Sequence, residues 1–111
     1  MFALVVRFEV LEDHLAAFDA LVAETLAGIS ANEPDTVIYV SHGRPDRSSE
    51  RVFYECYLDD EAFNAHEASE PTRRFLLERQ EHLAGDPEVW RLSTTDGVIA
   101  GRRVGRDVAG G

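Results

Sequence analysis

The sequence predicts an α+β domain, and three observations predict it. β-rich runs of period two alternate with apolar stripes of helical period, in the order β-α-β-β-α-β. A chain of 111 residues supports one core and one domain. The third β run, RVFYECYL at 51–58, carries large side chains on both faces: Val52, Tyr54, Cys56 and Leu58 on one, Phe53, Glu55 and Tyr57 on the other. The order is that of a ferredoxin-like split βαβ fold, a four-stranded antiparallel sheet with its helices on one face. Helices cover only one side of that third run, so the other side predicts a second copy packed sheet to sheet, most simply as a two-fold homodimer.

FALVVRFEV at 2–10 is the first strand, with Phe2, Leu4, Val6, Phe8 and Val10 on one apolar face. The period then changes. Leu15, Phe18, Val22, Thr25, Leu26 and Ile29 form one helical stripe within 12–30, with Glu12 and Asp13 at the positive end of the helix dipole. Asn32-Glu33-Pro34-Asp35 ends it, because proline restricts the residue before it. TVIYVSHGR at 36–44 is the second strand, PDRSSE a polar turn with a longish loop, and 51–58 the third strand. Asp59-Asp60 opens a second helix as a carboxylate cap, and Pro71 sits in the first turn of a third. Phe75, Leu76, Arg79 and Leu83 give that helix its stripe, and Gly85 predicts its C-terminal stop. EVWRLSTT at 88–95 is the fourth strand. Residues 1–100 form the domain; the glycine- and arginine-rich 101–111 read as a tail or an arm onto a partner.

Net charge is −10, which repels nucleic acid and anionic membrane surfaces alike. No apolar run approaches the roughly 18 residues of a membrane span. Arg7 and Glu9 interrupt the apolar start, so it does not read as a signal peptide, and the expected location is cytoplasmic. All eleven basic residues are arginine, which excludes Schiff-base chemistry and a lysine base. The single cysteine, Cys56, reads as a small buried hydrophobe rather than a nucleophile.

Two residues stand where core would be expected: Glu55 inside an aromatic strand, and His66 on the face of the second helix that carries Ala62 and Phe63. His66 is either a satisfied structural histidine or a base, since imidazole is the side chain suited to proton transfer near neutrality. Glu55 needs a partner or a proton if buried, with Arg7, Tyr39 and His66 as candidates; a pair with His66 would fix its tautomer. Tyr39, Tyr57, Phe75 and Trp90 form either core or the walls of a flat aromatic pocket. Arg7 is either an interface ion pair or a holder of a phenolate or carboxylate. His66 and Glu70 have metal spacing, but no third ligand accompanies them, and no metal site is expected.

The segments NEPDTVIY and RVFYECYLDDEAFNAHEAS resemble the antibiotic biosynthesis monooxygenase family, of the quinol-monooxygenase type. The likeness falls on Glu33, Pro34, Tyr39, Glu55, Tyr57, Ala62 and His66, and covers about residues 1–95. It departs where Asp35 replaces a glycine and Glu70-Pro71 a proline-histidine pair. The resemblance implies a dimeric α/β barrel of facing sheets. It further implies an oxidoreductase that oxidises a small aromatic or quinone-like molecule with molecular oxygen and no cofactor. His66 and Glu55 would be catalytic, with Tyr39, Tyr57, Phe63, Phe75, Trp90 and Arg7 around the substrate. Three other readings stand beside it. One is an isomerase of a phosphorylated autoinducer sugar, drawing on Arg7, Arg73 and Arg74. Another is a heme-degrading relative, and the third a ligand-binding dimer without catalysis.

Overall fold

The computed structural model describes residues 1–105. Strand β1 (Phe2–Glu9) leads through a 3-10 turn (Glu12–His14) into helix α1 (Leu15–Asn32). β2 (Thr36–Arg44) and β3 (Arg47–Tyr57) follow, then α2 (Asp60–Ala68) and α3 (Glu70–Glu78), which runs on as a 3-10 turn (Arg79–His82). β4 (Glu88–Ser93) completes an antiparallel sheet of order β2-β3-β1-β4. This is the predicted ferredoxin-like arrangement.

Register decides which face of each strand meets the helices. Val6 lies opposite Phe53 on β3 and Val89 on β4, and Tyr39 lies opposite Glu55. Strand alternation then puts Leu4, Val6, Phe8, Tyr39, Phe53, Glu55, Tyr57, Val89 and Arg91 on the helix side. Val6, Phe8, Val10, Phe18, Leu21, Val22, Phe53 and Phe75 form the main core. Phe8 stands edge-on to Phe53 at 4.7 Å and to Phe75 at 6.4 Å. Phe2, Tyr57 and Ala62 form a second cluster, with Leu4 and Phe63 beside it.

The α1 stripe is as predicted, with Leu21 added to the buried set. With its 3-10 lead this segment has 21 residues and holds an 18-residue window of mean hydropathy 1.2, enough by length and composition to cross a membrane. That is more apolar than the run-counting expectation allowed. Its stripe packs on the sheet, however, and Asp19 and Glu24 are exposed on the other side, as in a core helix. Gly28 is needed where α1 meets α3, because a Cβ there would stand 2.7 Å from Pro71 Cγ.

Three local expectations are corrected. The β2–β3 loop has two residues, Pro45 and Asp46, because the polar stretch after it joins β3. Ser49 Oγ donates to Glu9 Oε2 at 2.5 Å, and buried Glu50 lies 2.9 Å from Arg7, 3.2 Å from Arg44 and 3.4 Å from Arg47. Gly85 is not a left-handed cap: the chain leaves the 3-10 turn extended, and Leu83 bridges to Val10. The expected tail begins as strand, since β5 (Asp96–Ile99) and β6 (Arg102–Gly105) form a hairpin around Ala100 and Gly101, both at positive φ. Residues 106–111 of that tail lie outside the described residues.

Candidate functional site

Asp59 starts the site by fixing the phase of α2. Its carboxylate accepts from the Ala62 N–H at 2.8 Å, a cap that sets Ala62 and His66 one turn apart on the buried face. His66 is 2% exposed. Its Nδ1 lies 2.8 Å from Glu33 Oε1. Glu33 ends α1, and its carboxylate also accepts from Thr36 Oγ1 at 2.8 Å and Ser69 Oγ at 3.4 Å. A carboxylate accepts hydrogen bonds, so in the neutral ring Nδ1 carries the hydrogen and Nε2 keeps its lone pair. Thr72 Oγ1 sits against the same ring edge, 3.2 Å from Nδ1 and 3.4 Å from Nε2. Tyr39 and Tyr57 flank the ring, with centroids at 5.3 and 5.2 Å.

Glu55 is bonded to none of the three candidate partners, Arg7, Tyr39 and His66. The Tyr57 hydroxyl donates to its Oε1 at 2.5 Å, because the two residues are neighbours on one face of β3. Burial pushes the Glu55 carboxyl up, against the opposing pulls of the Tyr57 hydrogen bond and of charge on His66. Burial and the neighbouring Glu55 charge push both phenols up as well, so Tyr57 and Tyr39 stay protonated donors. The pairing of Glu55 with His66 is therefore corrected: Glu33 orients the imidazole.

A cavity of about 250 Å³ opens between sheet and helices beside these groups. Leu4, Val6, Val89, Phe63, Phe75 and Leu76 give it apolar walls; Tyr39, Glu55, His66 and Thr72 give it polar ones, and Glu67, Arg79 and Arg91 line it too. A larger surface groove of about 330 Å³ reaches Glu33 from the far side, between Pro34, Thr36, Ala62 and Ser69, but contains neither the ring residues nor Glu55. The smaller cavity is where polar groups converge inside apolar walls, the usual mark of a small-molecule site.

Of the residues predicted around the substrate, Tyr39, Phe63 and Phe75 line the cavity with His66 and Glu55. Tyr57 supports it from behind. Trp90 and Arg7 do not join them. Val89 and Arg91 take the helix side of β4, so alternation turns Trp90 to the opposite sheet face, where it is 47% exposed. Arg7 lies on that opposite face as well, held by Glu9, Glu50 and Glu88. Sequence reasoning missed Glu33, Thr72, Arg79 and Arg91. Glu33 had a signal, as the acid of the Glu-Pro segment. Arg79 had one too, as a cation at a stripe position of the third helix.

The family model of antibiotic biosynthesis monooxygenases matches residues 1–76. The chain belongs to the antibiotic biosynthesis monooxygenase family. Among solved structures, Rv0793 from Mycobacterium tuberculosis superposes with a TM-score of 0.80 at 22% identity, over 88% of this chain and 98% of that one. A Caulobacter crescentus protein assigned as an antibiotic biosynthesis monooxygenase gives 0.78 at 20% identity, over 82% and 86%. A further antibiotic biosynthesis monooxygenase structure gives 0.76 at 20% identity, over 89% and 100%. At these identities the likeness concerns the fold. No curated protein matches the chain. Family membership supports a general monooxygenase-like function.

Proposed function

We propose that this antibiotic biosynthesis monooxygenase family member is a homodimer that oxidises a small aromatic or quinol substrate with molecular oxygen and no cofactor. The observation that carries the reading is His66: buried, at a cavity, with Nδ1 held by Glu33 so that Nε2 keeps a lone pair. His66 takes a proton from an acidic ring hydroxyl or an anthrone-like CH₂, and Glu33 stabilises the imidazolium that forms. The electron-rich anion then reduces oxygen. For a CH₂ substrate, one oxygen atom becomes the new C=O and the other leaves as water with the two hydrogens, so no outside reductant is needed. Tyr39, kept protonated by burial, is a donor to the developing oxygen anion. The apolar walls keep competing water out.

The residues on which the phosphorylated-sugar reading drew lie elsewhere: Arg7 is in the Glu50 network, Arg74 pairs with Glu24 and Glu78, and neither they nor Arg73 line the cavity. The cavity itself argues against a filled core around His66. The second sheet face supports the dimer, with Val40, Tyr54, Trp90 and Leu92 each more than a third exposed. A dimer of facing sheets is the α/β barrel of the proposal.

The test is isotopic. Chelator-treated protein given an anthrone under ¹⁸O₂ is expected to place one ¹⁸O in the product carbonyl. Product oxygen drawn from water, or turnover abolished by chelator, contradicts the proposal.

A further inference from the structure

We propose that Arg79 and Arg91 form an anion-recognising subsite in this cavity, and that its ligand is a planar aromatic bearing a carboxylate. The inference rests on the reading of this cavity as the ligand site. Arg7, Arg44, Arg47, Arg51, Arg74 and Arg103 all pair with carboxylates. Arg79 and Arg91 line the cavity, and among the described residues neither guanidinium has an acidic partner within 4.0 Å or a side-chain hydrogen bond. In a chain with 21 acidic residues and net charge −10, two cavity cations without a direct carboxylate contact call for a reason, since Glu55 and Glu67 of the same cavity act on Arg79 only through space.

Both guanidinium groups lie over aromatic rings. The Arg79 guanidinium lies 5.3 Å from the Phe8 centroid and 5.6 Å from Phe75. That of Arg91 lies 4.5 Å from Phe2 and 5.1 Å from Phe63. Ring faces hold the cations in place and leave their N–H edges free. Arg79 is half-buried, and burial lowers its pKa, which is the mark of a cation short of a counter-charge. Glu55, the buried acid of the cavity, acts on Arg79 only at a distance: its carboxylate is bonded to Tyr57 and makes no contact with the guanidinium. A flat carboxylate fits the guanidinium fork, and the apolar walls take the ring behind it.

Full-length protein is titrated calorimetrically with 2-naphthoate and with 2-naphthamide, which differ in charge but hardly in shape. The acid is expected to bind about 10-fold tighter or more, the scale of one charge-assisted hydrogen bond. Arg91→Met and Arg79→Met should each erode the preference, the double variant should abolish it, and Arg91→Lys should keep part of it. Equal affinities in the wild type, no binding of either probe at millimolar concentration, or a preference that survives the double variant overturns the subsite. If thermal melts show Arg79→Met unfolded, Arg91→Met decides alone, since Arg91 is exposed at the rim. The two proposals fail separately. Lost acid preference beside His66-dependent oxidation of a neutral quinol removes only the subsite. Acid preference without any oxygen uptake removes only the monooxygenase reading.

Discussion

Glu33 Oε1 and His66 Nδ1 are 2.8 Å apart across 33 residues of chain, and that contact determines which imidazole nitrogen is free. Glu33→Gln keeps the shape but loses the charge that stabilises an imidazolium. It is expected to lower kcat/KM about 10- to 100-fold, the scale seen for partners that orient a histidine, with substrate affinity unchanged; steady-state kinetics beside equilibrium binding check it. Glu55 makes a prediction of opposite character. Its carboxyl is raised in the fold, chiefly by burial, so its contribution to stability is full below the ordinary carboxylate range and is lost as pH rises through the folded pKa. Glu55→Gln still accepts from Tyr57 and carries no charge to bury. Its melting temperature should exceed the wild type's at pH 8, and the gap should close toward pH 4; a gap independent of pH contradicts the assignment. At this scale the sequence was half legible. Residue type singled out His66 and Glu55, but their partners depend on which loop reaches which helix. No local pattern says that the end of α1 arrives at His66 before β3 does.

The helices were legible as elements because their stripes are strong and their starts are marked, Asp59 and Pro71 among them. What the pattern missed came from contacts between elements. The β2–β3 turn tightened because Glu50 recruited three arginines into strand geometry. The third helix stopped early because Leu83 found a bridge to Val10. Gly28 shows the same competition in energetic form. Alanine would gain roughly 1 kcal/mol of helix propensity, but its Cβ would meet Pro71 at 2.7 Å, and overpacking of this kind costs about 1–3 kcal/mol. Gly28→Ala should therefore destabilise by about 1 kcal/mol in denaturant melts despite the better propensity. Asp59→Ala removes the cap that phases α2 and should cost about 1 kcal/mol as well.

For the whole molecule, the two-faced third strand was the informative signal, since a strand apolar on both sides needs cover on both. Parity alone does not say which face is which. Pairing supplies that, and it sends Phe53, Glu55 and Tyr57 to the helices and Trp90 with Tyr54 to the outside. Trp90→Glu puts a charge into the proposed sheet-to-sheet interface. Light scattering at micromolar concentration should give a dimer mass for the wild type and a monomer mass for the variant. A wild-type monomer contradicts the proposed assembly. The central claim is that His66 is in this fold to move a proton, and oxygen uptake tests it most directly. Chelator-treated wild type and His66→Ala, matched by circular dichroism, are compared on one panel of anthrones and quinols. The account predicts wild-type uptake above autoxidation and a fall of about 10²- to 10⁴-fold in the variant, the scale of a lost general base. Equal uptake by the two proteins would contradict it.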